Sequence, residues 1–308
     1  MAKAFKSKLS KHVSALHING MNGRMLTLPA KKKNREILLL YGHHASLERM
    51  FGLAESINEY GRVTLPDLPG FGGMDSFYKI GEKPTLDNYA DYLASFVKMR
   101  YKRRRVTIIA MSFSVPLIVR MLQRYPELTK KVDMFISLAG FVHRDDFIFS
   151  KQEYWGLRTL SFVLSKRIPA AVVKALILNK PVLRLAYGSV SASHGKMKDA
   201  KSKAELYRRI DFETTLWNIN DMRTRWRTMK IMLTMDLCNA QANVKTYHVS
   251  TATDRYFDNA VVEQHLRVIF KYVEVIPSEI GNHAPTILAT AKEAEPFVPK
   301  QLRTLLSA

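Results

Sequence analysis

The sequence has 308 residues, of which 47% are hydrophobic and 24% are charged, values that are ordinary for a globular protein with a buried core. The formal net charge of +21 is not ordinary, because 48 Lys and Arg residues stand against 27 Asp and Glu residues. The single cysteine, Cys238, excludes an intramolecular disulfide. The apolar region 160–187 is interrupted by basic residues and proline, which excludes a membrane-spanning helix there, and residues 1–11 lack the apolar core of a signal peptide. We therefore expect a cytoplasmic protein.

The basic residues are spread along the whole chain, which favours a compositional bias as the origin of the positive charge. The alternative is a weak contact with an anionic membrane surface, to which residues 160–187 contribute aliphatic stretches mixed with Lys and Arg. No recognised nucleic-acid-binding motif accompanies the charge, so a specific nucleic-acid partner is not expected. The sequence does not indicate an oligomeric state.

Strand and helix patterns alternate in the first part of the chain, up to residue 142. Residues 13–18 and 24–28 are predicted as two strands around a turn that contains Asn22 and Gly23. Short apolar runs typical of buried parallel strands follow at 36–41, 62–65, 105–110 and 132–139. Helical patterns lie between them at 46–60, after Thr85 and at 113–124, and Ser46 and Thr85 stand where a side chain caps a helix N-terminus.

The pattern changes in the middle of the chain. Residues 143–235 carry amphipathic helical segments rich in Leu, Arg, Trp and Met, without a good strand pattern. Strand patterns return at 244–250 and 273–277, with a helical pattern between them. The sequence therefore predicts an α/β core made of residues 1–142 and 236–308, with a mostly parallel central sheet flanked by helices and a helical cap inserted at 143–235.

The predicted strand at 105–110 runs directly into a turn at Ser112, and a helix follows. A nucleophile elbow needs this order, because its strained strand-to-helix turn raises the serine hydroxyl above the sheet. The residues two before and two after the serine must be small, since the backbones of strand and helix pass close together there. Ala110 and Ser114 meet this requirement, although glycine is the usual residue at both positions. Ser112 is therefore the candidate nucleophile.

Together with this turn, an ordered set of motifs resembles the α/β-hydrolase family over most of the chain. Residues 41–46 (Tyr-Gly-His-His-Ala-Ser) end the first parallel strand, where the family has His-Gly followed by the oxyanion loop. Residues 67–72 (Asp-Leu-Pro-Gly-Phe-Gly) are similar to the family's Asp-x-Pro-Gly-x-Gly loop. The helix that begins at 85–90 precedes the strand before Ser112, as it does in family members, and 125–127 (Tyr-Pro-Glu) resembles the family's connection to the next strand. Tyr41 departs from the family's histidine.

The resemblance implies the other members of a Ser-His-Asp triad. The family's acid follows a late strand, as Asp254 follows the strand predicted at 244–250. Asp145 and Asp146 follow an earlier strand, where some family members place the acid, and they are the alternative. The family's histidine follows the last strand, as His283 does here. The order Ser, Asp, His along the chain is the one that this fold dictates.

What the resemblance implies is a cofactor-independent serine hydrolase, acting on a small-molecule carboxylic ester or acyl substrate through an acyl-enzyme. The backbone N–H groups of His43 and Phe113 would form the oxyanion hole. Neither a cofactor nor a metal site is expected. A serine nucleophile argues against the dehalogenases and epoxide hydrolases of this fold, which use aspartate. A C–C bond hydrolase or acyltransferase with the same triad, and a non-catalytic scaffold that binds a ligand or partner, are the alternatives.

Overall fold

The computed structural model describes residues 8–31, 33–176, 178, 180–189, 202–278 and 290–308. Within these ranges an eight-stranded sheet runs through the protein in the order β1-β2-β4-β3-β5-β6-β7-β8. The strands are β1 Val13–Ile18, β2 Met21–Leu28, β3 Glu36–Leu40, β4 Arg62–Pro66, β5 Val106–Met111, β6 Val132–Leu138, β7 Thr246–Thr251 and β8 Val273–Ser278. The β1–β2 and β2–β4 pairs are antiparallel, and the other neighbouring pairs are parallel.

Helices flank the sheet and occupy the interval between β6 and β7. The core helices are α1 Leu47–Ile57, α2 Leu86–Arg100, α3 Ser114–Arg124, α9 Asn259–Ile269, α10 Ala291–Ala294 and α11 Lys300–Ser307. The inserted helices, between β6 and β7, are α4 Lys151–Leu164, α5 Arg167–Leu176, α6 Lys180–Ser189, α7 Lys203–Ile219 and α8 Met222–Met232. None of the helices in the described ranges is both long enough and apolar enough to cross a membrane.

The central strands are buried from end to end. Every residue of β3 and of β5 is buried, as expected for parallel strands that are covered on both faces. Their side chains belong to one large apolar core together with those of α1, α2 and α3. The prediction of a mostly parallel sheet flanked by helices is therefore confirmed.

The inserted helices have a small apolar core of their own. Its buried members are Leu164, Ala170, Leu178, Leu183, Met222 and Trp226. Such a separate cluster indicates that these helices pack on one another as well as on the sheet domain. The limits of this insertion, 143 and 235, stay a prediction.

The two predicted N-caps behave differently. Thr85 confirms the prediction, because its hydroxyl accepts a hydrogen bond from the N–H of Asn88 at 3.0 Å. Ser46 occupies the N-cap position of α1, but in the described structure its side chain makes no capping bond, so that prediction was wrong. Asp67 supplies the acceptor instead, since its Oδ1 lies 3.3 Å from the N–H of Leu47.

Candidate active site

The turn between β5 and α3 holds Ser112 in a strained conformation. Its φ angle is 51°, in the left-handed region that a residue with a Cβ rarely adopts. Two backbone bonds fix the turn: the N–H of Ser112 donates to the carbonyl of Leu138 at the end of β6, and its carbonyl accepts from the N–H of Val115, both at 2.9 Å. The sheet on one side and the first turn of α3 on the other thus keep Ser112 in this strained conformation.

The residues around Ser112 are small and tightly packed. Ala110 and Ser114 are fully buried, and the Ser114 hydroxyl accepts from the N–H of Met111 at 3.0 Å. The loop after β3 passes beside the serine at Gly42. A Cβ placed on Gly42 would lie 3.1 Å from the Cβ of Ser112, closer than nine in ten real contacts of a Cβ. The requirement for small residues around Ser112 therefore also applies to Gly42.

A cavity of about 230 Å³ opens beside Ser112. Its walls come from the loop after β3, the start of α1, the turn at Ser112, the aromatic segments that follow β6 and β7, and the inner face of α8. The lining residues include Gly42, His43, His44, Arg49, Ser112, Phe141, Phe147, Phe149, Arg225, Met229, Met232, Arg255, Tyr256 and Phe257. The candidate nucleophile thus faces a small chamber that is mostly apolar and that contains several basic side chains.

Both histidines of the loop after β3 connect that loop to the inserted helices. The His43 Nε2 lies 2.9 Å from the hydroxyl of Thr228 and 3.1 Å from the carbonyl of Arg225. The His44 Nδ1 lies 3.1 Å from the side-chain amide nitrogen of Asn220. These contacts hold the loop, and with it the backbone of His43, against α8.

Phe113 is the N-cap residue of α3 and directly follows Ser112. The N–H groups at the start of a helix have no partner within the helix, and the helix dipole favours negative charge there. The His43 and Phe113 rings touch edge to face, with centroids 5.5 Å apart. The two residues predicted to form the oxyanion hole are therefore neighbours beside Ser112.

Tyr41 ties the loop after β3 to the loop at 67–73. Its buried hydroxyl donates to Asp67 Oδ1 at 3.0 Å and accepts from the N–H of Leu68 at 2.7 Å. Arg24 Nε donates to the second carboxylate oxygen of Asp67 at 3.0 Å. Burial raises the pKa of Asp67 to about 8, although the nearby Arg24 guanidinium opposes that rise. The tyrosine that departs from the family pattern thus serves as a structural link.

The loop at 67–73 requires glycine for a specific reason. Gly72 has a φ angle of 63°, and a Cβ on it would lie 1.8 Å from Asp67 Oδ1. Its N–H donates to Asn220 Oδ1 at 2.8 Å, and the carbonyl of Gly70 accepts from the N–H of Asp221 at the same distance. The loop therefore joins the sheet domain to the junction between α7 and α8.

Comparisons with known proteins agree with this architecture. No family model and no curated protein matches the sequence. Among solved structures, a carboxylesterase of the ammonia-oxidizing thaumarchaeon Nitrososphaera gargenis matches with a TM-score of 0.65 and 14% identity, covering 95% of this chain and 96% of the other. An N-formylmaleamic acid deformylase from Pseudomonas putida S16 matches with a TM-score of 0.62 and 14% identity, covering 88% of this chain and 93% of the other. A Bacillus megaterium epoxide hydrolase matches with a TM-score of 0.62 and 11% identity, covering 95% of this chain and 98% of the other.

The chain has the α/β-hydrolase fold. The structural matches share 11 to 14% identity with it, a level at which the fold is what the similarity establishes.

In this α/β-hydrolase fold, Asp254 follows β7 and its carboxylate is held in place. Oδ1 accepts from the N–H groups of Tyr256, at 2.8 Å, and Phe257, at 3.3 Å, and Oδ2 accepts from the hydroxyl of Thr251 at 2.9 Å. The three residues after Asp254 all line the cavity. Asp254 therefore stands at the edge of the chamber, on the loop that the sequence predicted.

The alternative acids have other surroundings. Asp146 is fully buried, and its Oδ2 accepts from the N–H groups of Val142 and His143. Its Oδ1 lies 2.5 Å from Nδ1 of His265 on α9. The side chain of Asp145 is exposed. The pair of the buried Asp146 and the half-buried His265 had no sequence signal, because the two residues belong to segments that are distant along the chain.

His283, the predicted base, lies outside the described residues. Within the described ranges no group of three His, Cys, Asp or Glu side chains converges closely enough to hold a metal ion. Arg49 and Arg225 both line the cavity, and the sequence did not indicate a site for either residue. A basic residue on an amphipathic helix gives no signal that distinguishes a cavity wall from a solvated face.

Proposed function

We propose that the protein is a cofactor-independent serine hydrolase of carboxylic esters, with Ser112 as its nucleophile. The observation that carries this proposal is the strained turn at Ser112, which is only 8% exposed and borders the cavity. A protein keeps a residue in such a conformation only where the surrounding structure enforces it, and functional sites are where this strain is concentrated.

In the proposed acylation step, the Ser112 hydroxyl oxygen attacks the ester carbonyl carbon while His283 accepts the hydroxyl proton. The carbonyl oxygen becomes an oxyanion, which the N–H groups of His43 and Phe113 stabilise. One such donor contributes about 10²- to 10³-fold to turnover. The intermediate then expels the alcohol, which takes the proton from His283, and leaves an acyl group on Ser112.

In the proposed deacylation step, water attacks the acyl carbonyl and gives a proton to His283. The second intermediate releases the carboxylic acid and returns the proton to Ser112. Asp254 orients the imidazole and stabilises its protonated form. We favour Asp254 over Asp146 as this acid because the imidazole of His265 already lies beside Oδ1 of Asp146, whereas the three residues after Asp254 line the cavity.

The structural matches support hydrolytic chemistry, because they include a carboxylesterase, a deformylase and an epoxide hydrolase. The size of the cavity supports a small acyl group. Its volume of about 230 Å³ lies below the roughly 300 Å³ at which pockets for drug-sized ligands begin.

A series of p-nitrophenyl esters of increasing acyl length, run together with C–C bond substrates, tests the proposal. We expect ester hydrolysis that is fastest for short acyl groups and that is abolished in Ser112→Ala. Ser161→Ala, which removes another buried serine from α4, is the matched control and should retain activity. Full activity in a folded Ser112→Ala protein would show that Ser112 is not the nucleophile. Cleavage of C–C bond substrates and not of esters would show that the protein is a C–C bond hydrolase.

A further inference from the structure

The inner face of α8 presents a cation to the cavity. Arg225, Met229 and Met232 all line it, and their spacing of four and three residues places them on one face of the helix. Ser112 borders the same cavity from the side of the sheet. Arg225 thus enters an otherwise apolar wall of the chamber in which the proposed reaction takes place.

The guanidinium of Arg225 packs against two aromatic rings. Its central carbon lies 4.2 Å from the ring centroid of Trp217 and 4.7 Å from that of Trp226. Among the described residues, Nε and Nη1 have no hydrogen-bond partner. Burial lowers the pKa of Arg225 to about 10, so the group stays protonated at neutral pH. Buried N–H donors of a cation that lack acceptors are costly, and an anionic ligand would relieve that cost.

The carboxylate near Arg225, that of Glu213, already binds another guanidinium group. Arg49, which also lines the cavity, forms an ion pair with Glu213, and both side chains are at most 5% exposed. Glu213 also favours the charged form of Arg225, so two guanidinium groups share one carboxylate. Arg255 adds a third positive charge, and no Asp or Glu is among the described lining residues. The chamber therefore has an excess of positive charge.

We propose that the substrate of this site carries a carboxylate that binds Arg225 while its ester group reacts at Ser112. This inference rests on the proposed function and names its substrate class, a small acyl compound with an acid at the far end of the acyl chain. Carboxylates suit this site because a guanidinium presents pairs of N–H donors in its plane, which a carboxylate accepts with both oxygens. The size of the cavity favours such a compact molecule over a long-chain lipid.

The test compares two p-nitrophenyl esters of equal length, the monoester of adipic acid and its neutral counterpart with a terminal amide. We expect kcat/KM of the native protein to be about tenfold or more higher for the acid. In Arg225→Gln this ratio should fall by at least about tenfold, through KM more than through kcat, because the interaction holds the substrate before and during reaction.

Arg223→Gln is the matched control. Arg223 lies on the same helix, but its guanidinium stacks on Tyr78 at 3.7 Å and it is not among the described lining residues. If the overall charge of the protein attracted the acid, both variants would lower the ratio equally, which would overturn the proposal. A native protein that prefers the amide would overturn it as well, even if Arg225→Gln failed to fold.

Calorimetric titration with adipate separates this inference from the proposed function. We expect the native protein to bind adipate, and Arg225→Gln to bind it at least about tenfold more weakly, whether or not any ester is hydrolysed. Absence of adipate binding to folded native protein would overturn the carboxylate site. Tighter binding of inorganic phosphate than of adipate would overturn the choice of carboxylate. Loss of esterase activity with intact adipate binding would instead count against the proposed function alone.

Discussion

Replacing Tyr41 with phenylalanine should destabilise the protein far more than the same change at a comparable tyrosine. Tyr41 is fully buried, and its hydroxyl makes two bonds, one to the carboxylate of Asp67 and one to the N–H of Leu68. Asp67 is ionised above its pKa of about 8, so the comparison belongs at about pH 9. A bond to a charged group then contributes about 1.5 to 3 kcal/mol, and a buried N–H without a partner costs about 1 to 3 kcal/mol. Tyr41→Phe should therefore lower the free energy of unfolding by about 2.5 kcal/mol or more.

Tyr92 provides the matched comparison. It is equally buried, and its hydroxyl makes one bond, to the backbone carbonyl of Asp67 at 2.8 Å. Tyr92→Phe should cost about 1 kcal/mol. Urea unfolding of the native protein and both variants measures the difference, provided that the denaturant dependence of the unfolding free energy is unchanged. Equal destabilisation by the two changes would refute the idea that Tyr41 is the link between the two loops.

Three further predictions follow from other parts of the structure. Asp254→Asn should lower ester turnover by at least about 10³-fold because the histidine loses its orienting acid, whereas a larger loss in Asp146→Asn would move the acid to the end of β6. Burial lowers the pKa of His248 from 6.5 to about 4, so on acidification the unfolded chain takes up a proton at this histidine before the folded protein does. The free energy of unfolding should therefore fall by up to about 3 kcal/mol as the pH drops from about 6.5 to about 4. Urea unfolding at each pH measures this loss, and His248→Asn should lack it. Trp155 and Phe162 on α4 are 58% and 53% exposed, and the basic side chains of Arg158 and Lys166 lie over their rings. We therefore expect the protein to sediment with anionic vesicles at low salt, and a Trp155→Ser/Phe162→Ser variant to sediment with them less. Equal, negligible binding to anionic and neutral vesicles would leave the charge as a compositional bias.

The parts of the fold that the sequence predicted depend on local patterns. The continuous apolar runs of β3 and β5 are readable because a parallel strand covered on both faces has no polar side to alternate with. The turn at Ser112 was predictable because its strand, its small neighbouring residues and its helix are adjacent in sequence. The Thr85 cap, three residues from its partner, is another local feature.

The parts that the sequence did not predict depend on contacts between distant segments. Ser46 was a reasonable cap by position, but Asp67, from a separate loop, accepts the hydrogen bond of the first helical N–H, that of Leu47. The Arg49–Glu213 pair joins residues that are 164 positions apart, and it determines how much positive charge remains for a ligand. Arg225 looks like any basic residue of an amphipathic helix until Trp217 and the cavity are known. The charge of the chamber therefore became visible only in three dimensions.

Labelling with a fluorophosphonate probe tests whether Ser112 is the nucleophile, because the probe reacts with a serine that is activated by its surroundings. We predict that the folded protein forms an adduct, that mass spectrometry locates it on Ser112, and that heat-denatured protein and Ser112→Ala form none. Failure of the folded protein to react, or an adduct on another serine that persists undiminished in Ser112→Ala, would contradict this prediction.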